Sequence, residues 1–191
     1  MPIEVDEAKR LDEIATATIQ VARDRGVRSV TIRAVAQQLG GSTAMVTNYV
    51  SSRAALMINA LHRAEADWTR EMERALEGVE GEEKLRAAVR WMCTTEQDDE
   101  VLRRLMMEIA GAGPGTGVDE VRVASARSDY KGLVELVAEA GLPDAELSGD
   151  VLHLILRGYW LATLEDAESW PAERGERAIL AVVDRLRGSG G

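Results

Sequence analysis

Thr31-Ile32-Arg33-Ala34-Val35-Ala36-Gln37-Gln38-Leu39-Gly40-Gly41-Ser42-Thr43-Ala44-Met45-Val46-Thr47-Asn48-Tyr49-Val50 is the stretch on which the reading of this 191-residue chain turns. Thr31 is a good helix N-cap. Behind it Ile32, Val35, Ala36 and Leu39 recur at three- and four-residue steps, which predicts a short helix over about 32–39 with one apolar face. Gly40-Gly41 predicts a tight turn. Ser42 is again an N-cap residue, and Val46 and Val50, four apart, predict a second short helix over about 43–49 that faces the same core. Leu11, Ile14, Ala15, Thr18, Ile19 and Ala22 form the apolar stripe of a longer helix over about 5–25, stopped at Gly26. A long helix followed by two short ones across a glycine turn is a helix-turn-helix of three-helix type.

The second short helix is the one such a unit presents to a DNA major groove. Its outward face carries Thr43, Ala44, Thr47 and Asn48, with Met45 at one flank. These side chains are short, so the helix can lie close to base edges, where a Thr methyl or Ala can meet thymine methyls. Thr31 and Ser42 stand at helix N-termini, where backbone N–H groups favour phosphate oxygens. Tyr49 and Arg53 can reach the phosphate backbone from the far end, and Arg33 is the long bidentate donor in reach of a guanine edge.

The rest of the chain reads as helix. Helices are expected over about 53–79, 82–95, 98–111, 118–140, 144–168 and 171–187, which makes nine in all, with no β-type alternation: an all-α fold. Gly111 to Gly117, with Pro114 inside it, is the clearest break and predicts a surface loop. It lacks the Lys-Ser/Thr of a phosphate-binding loop. Residues 188–191 predict a disordered tail. The head is expected to be residues 1–52, and the body residues 53–191.

Net charge is −10, but it is unevenly spread. Residues 1–63 hold eight Lys/Arg (Lys9, Arg10, Arg23, Arg25, Arg28, Arg33, Arg53, Arg63). From residue 9 onward the head holds three acids (Asp12, Glu13, Asp24). A mildly basic head on an acidic body suits a protein that offers one end to a polyanion. The lone Cys93 excludes an internal disulfide and a cysteine-rich zinc site. No apolar run approaches the ~18 residues that span a membrane. The acidic N-terminus does not read as a secretion signal, so a cytoplasmic protein without membrane association is expected.

The residues 31–56 resemble the DNA-binding signature of the TetR family: a Thr opening the second helix, an apolar–Ala pair, Gly, a Ser cap, an apolar and an aromatic residue closing the third helix, then a small turn, a basic residue and Leu56. The resemblance covers about residues 9–60, and Met45 to Tyr49 looks like the branch typified by betaine-pathway repressors. The family usually has Tyr at Thr47, Lys at Arg53 and a branched residue at Gly41, so a looser turn is expected here. The resemblance implies a homodimer joined through the last two helices and a palindromic operator in double-stranded DNA. It also implies a repressor role, and a small-molecule effector held in the C-terminal helical domain.

Large, soft side chains in the middle helices are the candidate effector contacts: Trp68, Met72, Trp91, Met106, Met107, Tyr130 and Trp160, with His153 and Arg157 to orient a ligand. The effector they suit is small and largely apolar. No catalytic set, metal motif or cofactor fingerprint is found. The two histidines stand 91 positions apart, and no Gly-x-Ser-x-Gly or dinucleotide pattern occurs. An enzyme is therefore not expected. The alternative to a regulator is a helical interaction or ligand-sequestering module with a vestigial head.

Overall fold

A computed structural model describes residues 7–94, 97–111 and 119–188. Its elements are α1 (Glu7–Arg25), a 3-10 turn (Val27–Ser29), α2 (Ile32–Gln38), α3 (Thr43–Thr47) and α4 (Arg53–Ala75). Then come α5 (Gly81–Met92), α6 (Gln97–Ala110), α7 (Asp119–Glu139), α8 (Ala145–Glu165) and α9 (Ala172–Gly188). Among the described residues there are nine α-helices and no strand, so the all-α expectation holds. Most of the expected loop at 111–117 and the last three residues of the expected tail lie outside the described residues. No described helix is long and apolar enough to cross a membrane.

The chain divides into two compact units. One comprises Met1–Trp68 with Glu100–Arg122, and the other Thr69–Asp99 with Val123–Gly191.

In the first unit, the apolar stripes seen in the sequence meet. Ile14, Val21, Val30, Val35, Val46 and Leu56 are fully buried in one cluster. Each such burial contributes about 1.5–3 kcal/mol. The same cluster takes Val101, Leu102, Leu105 and Ile109 from α6. The helix-turn-helix therefore shares its core with a helix that begins some 50 residues downstream of it.

In the second unit α5, α7, α8 and α9 supply the core, with Leu85, Val89, Val137, Leu152, Leu156, Ile179 and Val183 buried. Asp144 caps α8, its side chain accepting from Leu147 N at 3.2 Å. Gly175 of α9 is buried under the ring of Tyr159 from α8, close enough that a Cβ there would strike the ring. The hydroxyl of Tyr159 donates to Cys93 O (3.0 Å) and the indole N–H of Trp160 donates to Met92 O (3.1 Å), which ties α8 to the end of α5. Surface ion pairs add links: Lys84–Glu139 joins α5 to α7, and Arg90–Glu176 joins α5 to α9. Exposed pairs of this kind contribute little individually.

Candidate functional site

The head is built as the local sequence dictates. Thr31 adopts an extended backbone, and its hydroxyl oxygen accepts from Ala34 N at 3.1 Å. Ser42 does the same for α3, accepting from Met45 N at 3.3 Å. Each cap satisfies one of the N–H groups that a helix start leaves unpaired and is worth about 1 kcal/mol. Between them α2 ends in a Schellman turn: Gly41 N donates to Ala36 O (2.9 Å) and Gly40 N to Gln37 O (3.0 Å). Gly40 sits at φ 67°, the left-handed conformation this turn needs and glycine adopts without cost. The expected looseness at Gly41 is not seen, because both turn hydrogen bonds are made. The second short helix is shorter than its sequence suggested. α3 proper stops at Thr47, although Tyr49 N and Val50 N still bond back to Val46 O.

Burial divides the candidate contacts. Thr31, Arg33, Ser42, Thr43, Ala44, Thr47 and Asn48 are exposed, whereas Met45, Tyr49 and Arg53 are half-buried. Val46 and Val50 are buried beneath them. Arg33 makes no hydrogen bond or ion pair among the described residues, which leaves its whole fork of donors to solvent. Tyr49 lays its ring against the core. Arg53 is the residue whose surroundings the sequence did not reveal. Its Nε donates to Val30 O (3.0 Å), and its Nη2 donates to Val27 O (3.1 Å) and to a carboxylate oxygen of Glu108 on α6 (3.0 Å). Arg53 thereby closes the turn that leads into α2 and fastens it to α6; Nη1 is its nitrogen left without a partner among the described residues.

The nine candidate effector residues are split between the two units. Trp68, Met106 and Met107 belong to the first, where Trp68 and Met106 pack against the head core. Met72, Trp91, Tyr130, His153, Arg157 and Trp160 belong to the second. Four of these are brought together on facing parts of α7 and α8. The Tyr130 and His153 rings meet edge-on at 5.6 Å, and the Arg157 guanidinium lies 5.3 Å from the centre of the Trp160 ring. Two residues not singled out in the sequence complete the group. Asp129 accepts from Arg157 at 3.0 Å, and Asp150 accepts from the Tyr130 hydroxyl at 2.9 Å. Burial raises the Asp129 carboxyl above its ordinary value despite the opposing Arg157 charge. Burial, helped by Arg157, lowers the His153 imidazole, against the pull of Asp129 and Asp150. The hydrogen bond to Asp150 raises the Tyr130 phenol. Among the described residues no cluster of His, Cys, Asp and Glu could hold a metal ion.

A capped helix-turn-helix with an uncovered third helix, in a chain whose described residues hold nine helices and no strand, defines an architecture: an all-α fold that begins with a helix-turn-helix. Known proteins of similar sequence and structure narrow it. No family model matches the chain. It is 24% identical over 194 residues to the HTH-type transcriptional regulator PksA of Bacillus subtilis strain 168, covering 97% of this chain and 94% of that protein. A transcriptional regulator of Rhodococcus sp. Rha1 superposes with a TM-score of 0.79 at 20% identity, over 92% of this chain and 95% of that one. A TetR-family regulator of Rhodococcus sp. gives 0.78 at 14% identity, over 94% and 99%. A regulator of Saccharomonospora viridis in complex with choline gives 0.77 at 15% identity, over 93% and 96%. The fold of this protein is the TetR-family fold.

Proposed function

We propose that this protein is a ligand-responsive, DNA-binding transcriptional regulator. It acts as a repressor that leaves a palindromic operator when a small, largely apolar molecule binds. The observation that carries this reading is the uncovered outer surface of α3: Thr43, Ala44, Thr47 and Asn48 are exposed, short and polar or small, beside an unpartnered Arg33. In this reading α3 and Arg33 address base edges, and Thr31, Ser42, Tyr49 and the remaining Nη1 of Arg53 address phosphates. Residues 1–52 are the DNA-binding domain and 53–191 the ligand-binding and dimerisation domain. The compact units divide elsewhere, α6 lending its apolar face to the head core.

Dimerisation through α8 and α9 draws support from a face with no other explanation. Leu147, Leu154 and Leu161 are exposed to 56%, 71% and 44%. They are seven residues apart and so lie along one line of α8. Gly158 lies on the same face, and a side chain there would meet nothing within 4 Å. A mid-helix glycine costs about 1 kcal/mol relative to Ala. Within one chain nothing offsets that cost, whereas the helix of a second copy approaching at Gly158 does. Ala178 and Ala181, small and exposed on α9, suit the same close approach.

For the effector, the second-unit residues Met72, Trp91, Tyr130, His153, Arg157 and Trp160 are the proposed contacts. A choline-bound neighbour of the same fold supports a small-molecule role. A gel-shift titration with the DNA flanking this protein's own gene tests the function. A retarded complex that weakens as salt rises is expected. No complex at low salt, with or without a small-molecule extract of cells, contradicts the proposal.

A further inference from the structure

Gly41 is a glycine that its own backbone does not require. The left-handed position of the turn is taken by Gly40, and Gly41 has no positive φ. What fills the space is Met45. A Cβ at position 41 would lie 2.8 Å from Met45 Sδ and closer still to its Cε. Met45 is half-buried on a helix whose neighbouring outward positions, Thr43, Ala44, Thr47 and Asn48, are all exposed. Its thioether end therefore lies back over the turn.

We infer that Gly41 determines the specificity of the reading surface. The empty position at 41 is a seat that draws the Met45 side chain off the outward face of α3. The surface that then meets DNA consists of short side chains, and α3 can lie close to the base edges. This inference rests on the DNA-binding reading above. Because the displaced atoms are the far end of a flexible, unbranched side chain, a larger residue at 41 leaves the head folded and turns Met45 outward instead. A methionine standing out from α3 holds the helix away from the groove. That damages base contacts more than the phosphate contacts that carry non-specific binding.

The test uses the full chain as Gly41→Val and as Gly41→Val/Met45→Ala, beside wild type. Each is titrated by fluorescence anisotropy against the wild type's preferred fragment and a random duplex of equal length, with a thermal melt of each protein. Gly41→Val is expected to lose roughly tenfold or more on the preferred fragment and less than about twofold on the random one. The double variant is expected to recover to within about threefold of wild type, and the melts to agree within a few degrees. Unchanged preference in Gly41→Val, or a double variant as weak as the single one, overturns the inference. A wild type that prefers no duplex removes the DNA-binding reading itself, and this inference with it; a preferring wild type with an indifferent Gly41→Val removes only the inference.

Discussion

The outward faces of α3 and α8 are both left uncovered, and they expose opposite chemistry. On α3 the exposed positions are Thr43, Ala44, Thr47 and Asn48, flanked by two capped helix starts and an arginine without a partner. On α8 the exposed large apolar side chains are Leu147, Leu154 and Leu161 around an open glycine, with the carboxylates of Asp150 and Glu165 exposed beside them. Exposure alone therefore says little about role. Polar groups cost nothing while hydrated and are available to a hydrated polyanion. A line of exposed leucines gains only when another apolar surface covers it. By this contrast α3 is suited to DNA, and α8 to a copy of itself.

The sharpest challenge to that contrast is a charge on the α8 line. Leu154→Glu should weaken self-association by about 2–4 kcal/mol, measured by sedimentation velocity over a concentration series. A variant that associates as wild type does would show that α8 serves some other purpose. On α3's side of the contrast, Arg33→Ala should cost about 1–3 kcal/mol on the preferred DNA and clearly less on random DNA. Equal losses on both would demote Arg33 to a phosphate contact. Tyr49→Phe refines the picture of α3. Its ring already packs on the core, so loss of the hydroxyl should cost about 0.5–1.5 kcal/mol on every duplex alike, with an unchanged melting temperature.

The smallest effect concerns the inner flank of α8. His153 is depressed below its ordinary value of 6.5, so its charged form is disfavoured in the fold. The unfolded chain takes up the proton first. Stability is lost as pH falls through about 6.5 and the loss levels off below the folded value. His153→Gln should flatten the stability curve between about pH 7 and 5 in urea titrations. A wild-type curve already flat there would contradict the cause assigned to the shift.

The parts of this architecture that depend on near neighbours were readable in the sequence. Thr31 and Ser42 cap helices three residues ahead of their partners, and Val46 with Val50 marks the buried edge of α3 at a spacing of four. The heptad-spaced leucines on α8 are equally local in spacing, but it is their exposure, which the sequence does not show, that sets them apart from the buried Leu152 and Leu156. What could not be read depends on distant partners. Arg53 read as a free phosphate contact because its acceptors, Val27, Val30 and Glu108, are 23 to 55 residues away. The entry of α6 into the head core has the same origin: its apolar stripe says that it must bury a face, not which neighbours receive it. For the same reason the sequence did not show that Trp68 and Met106, two of the candidate effector contacts, pack against the head core. At Gly41 the signal was present but misread. A glycine where the resembled family usually has a branched residue suggested looseness, whereas the side chain of Met45 occupies the space.

Whether α3 reads sequence decides between a regulator and a helical module with an idle head. The deciding quantity is the ratio of affinities for the protein's own flanking DNA and for a random duplex, at one physiological salt concentration. A sequence-reading α3 gives a ratio of about a thousandfold or more, as for a specific DNA-binding protein. A ratio near one, at whatever absolute affinity, would contradict that role.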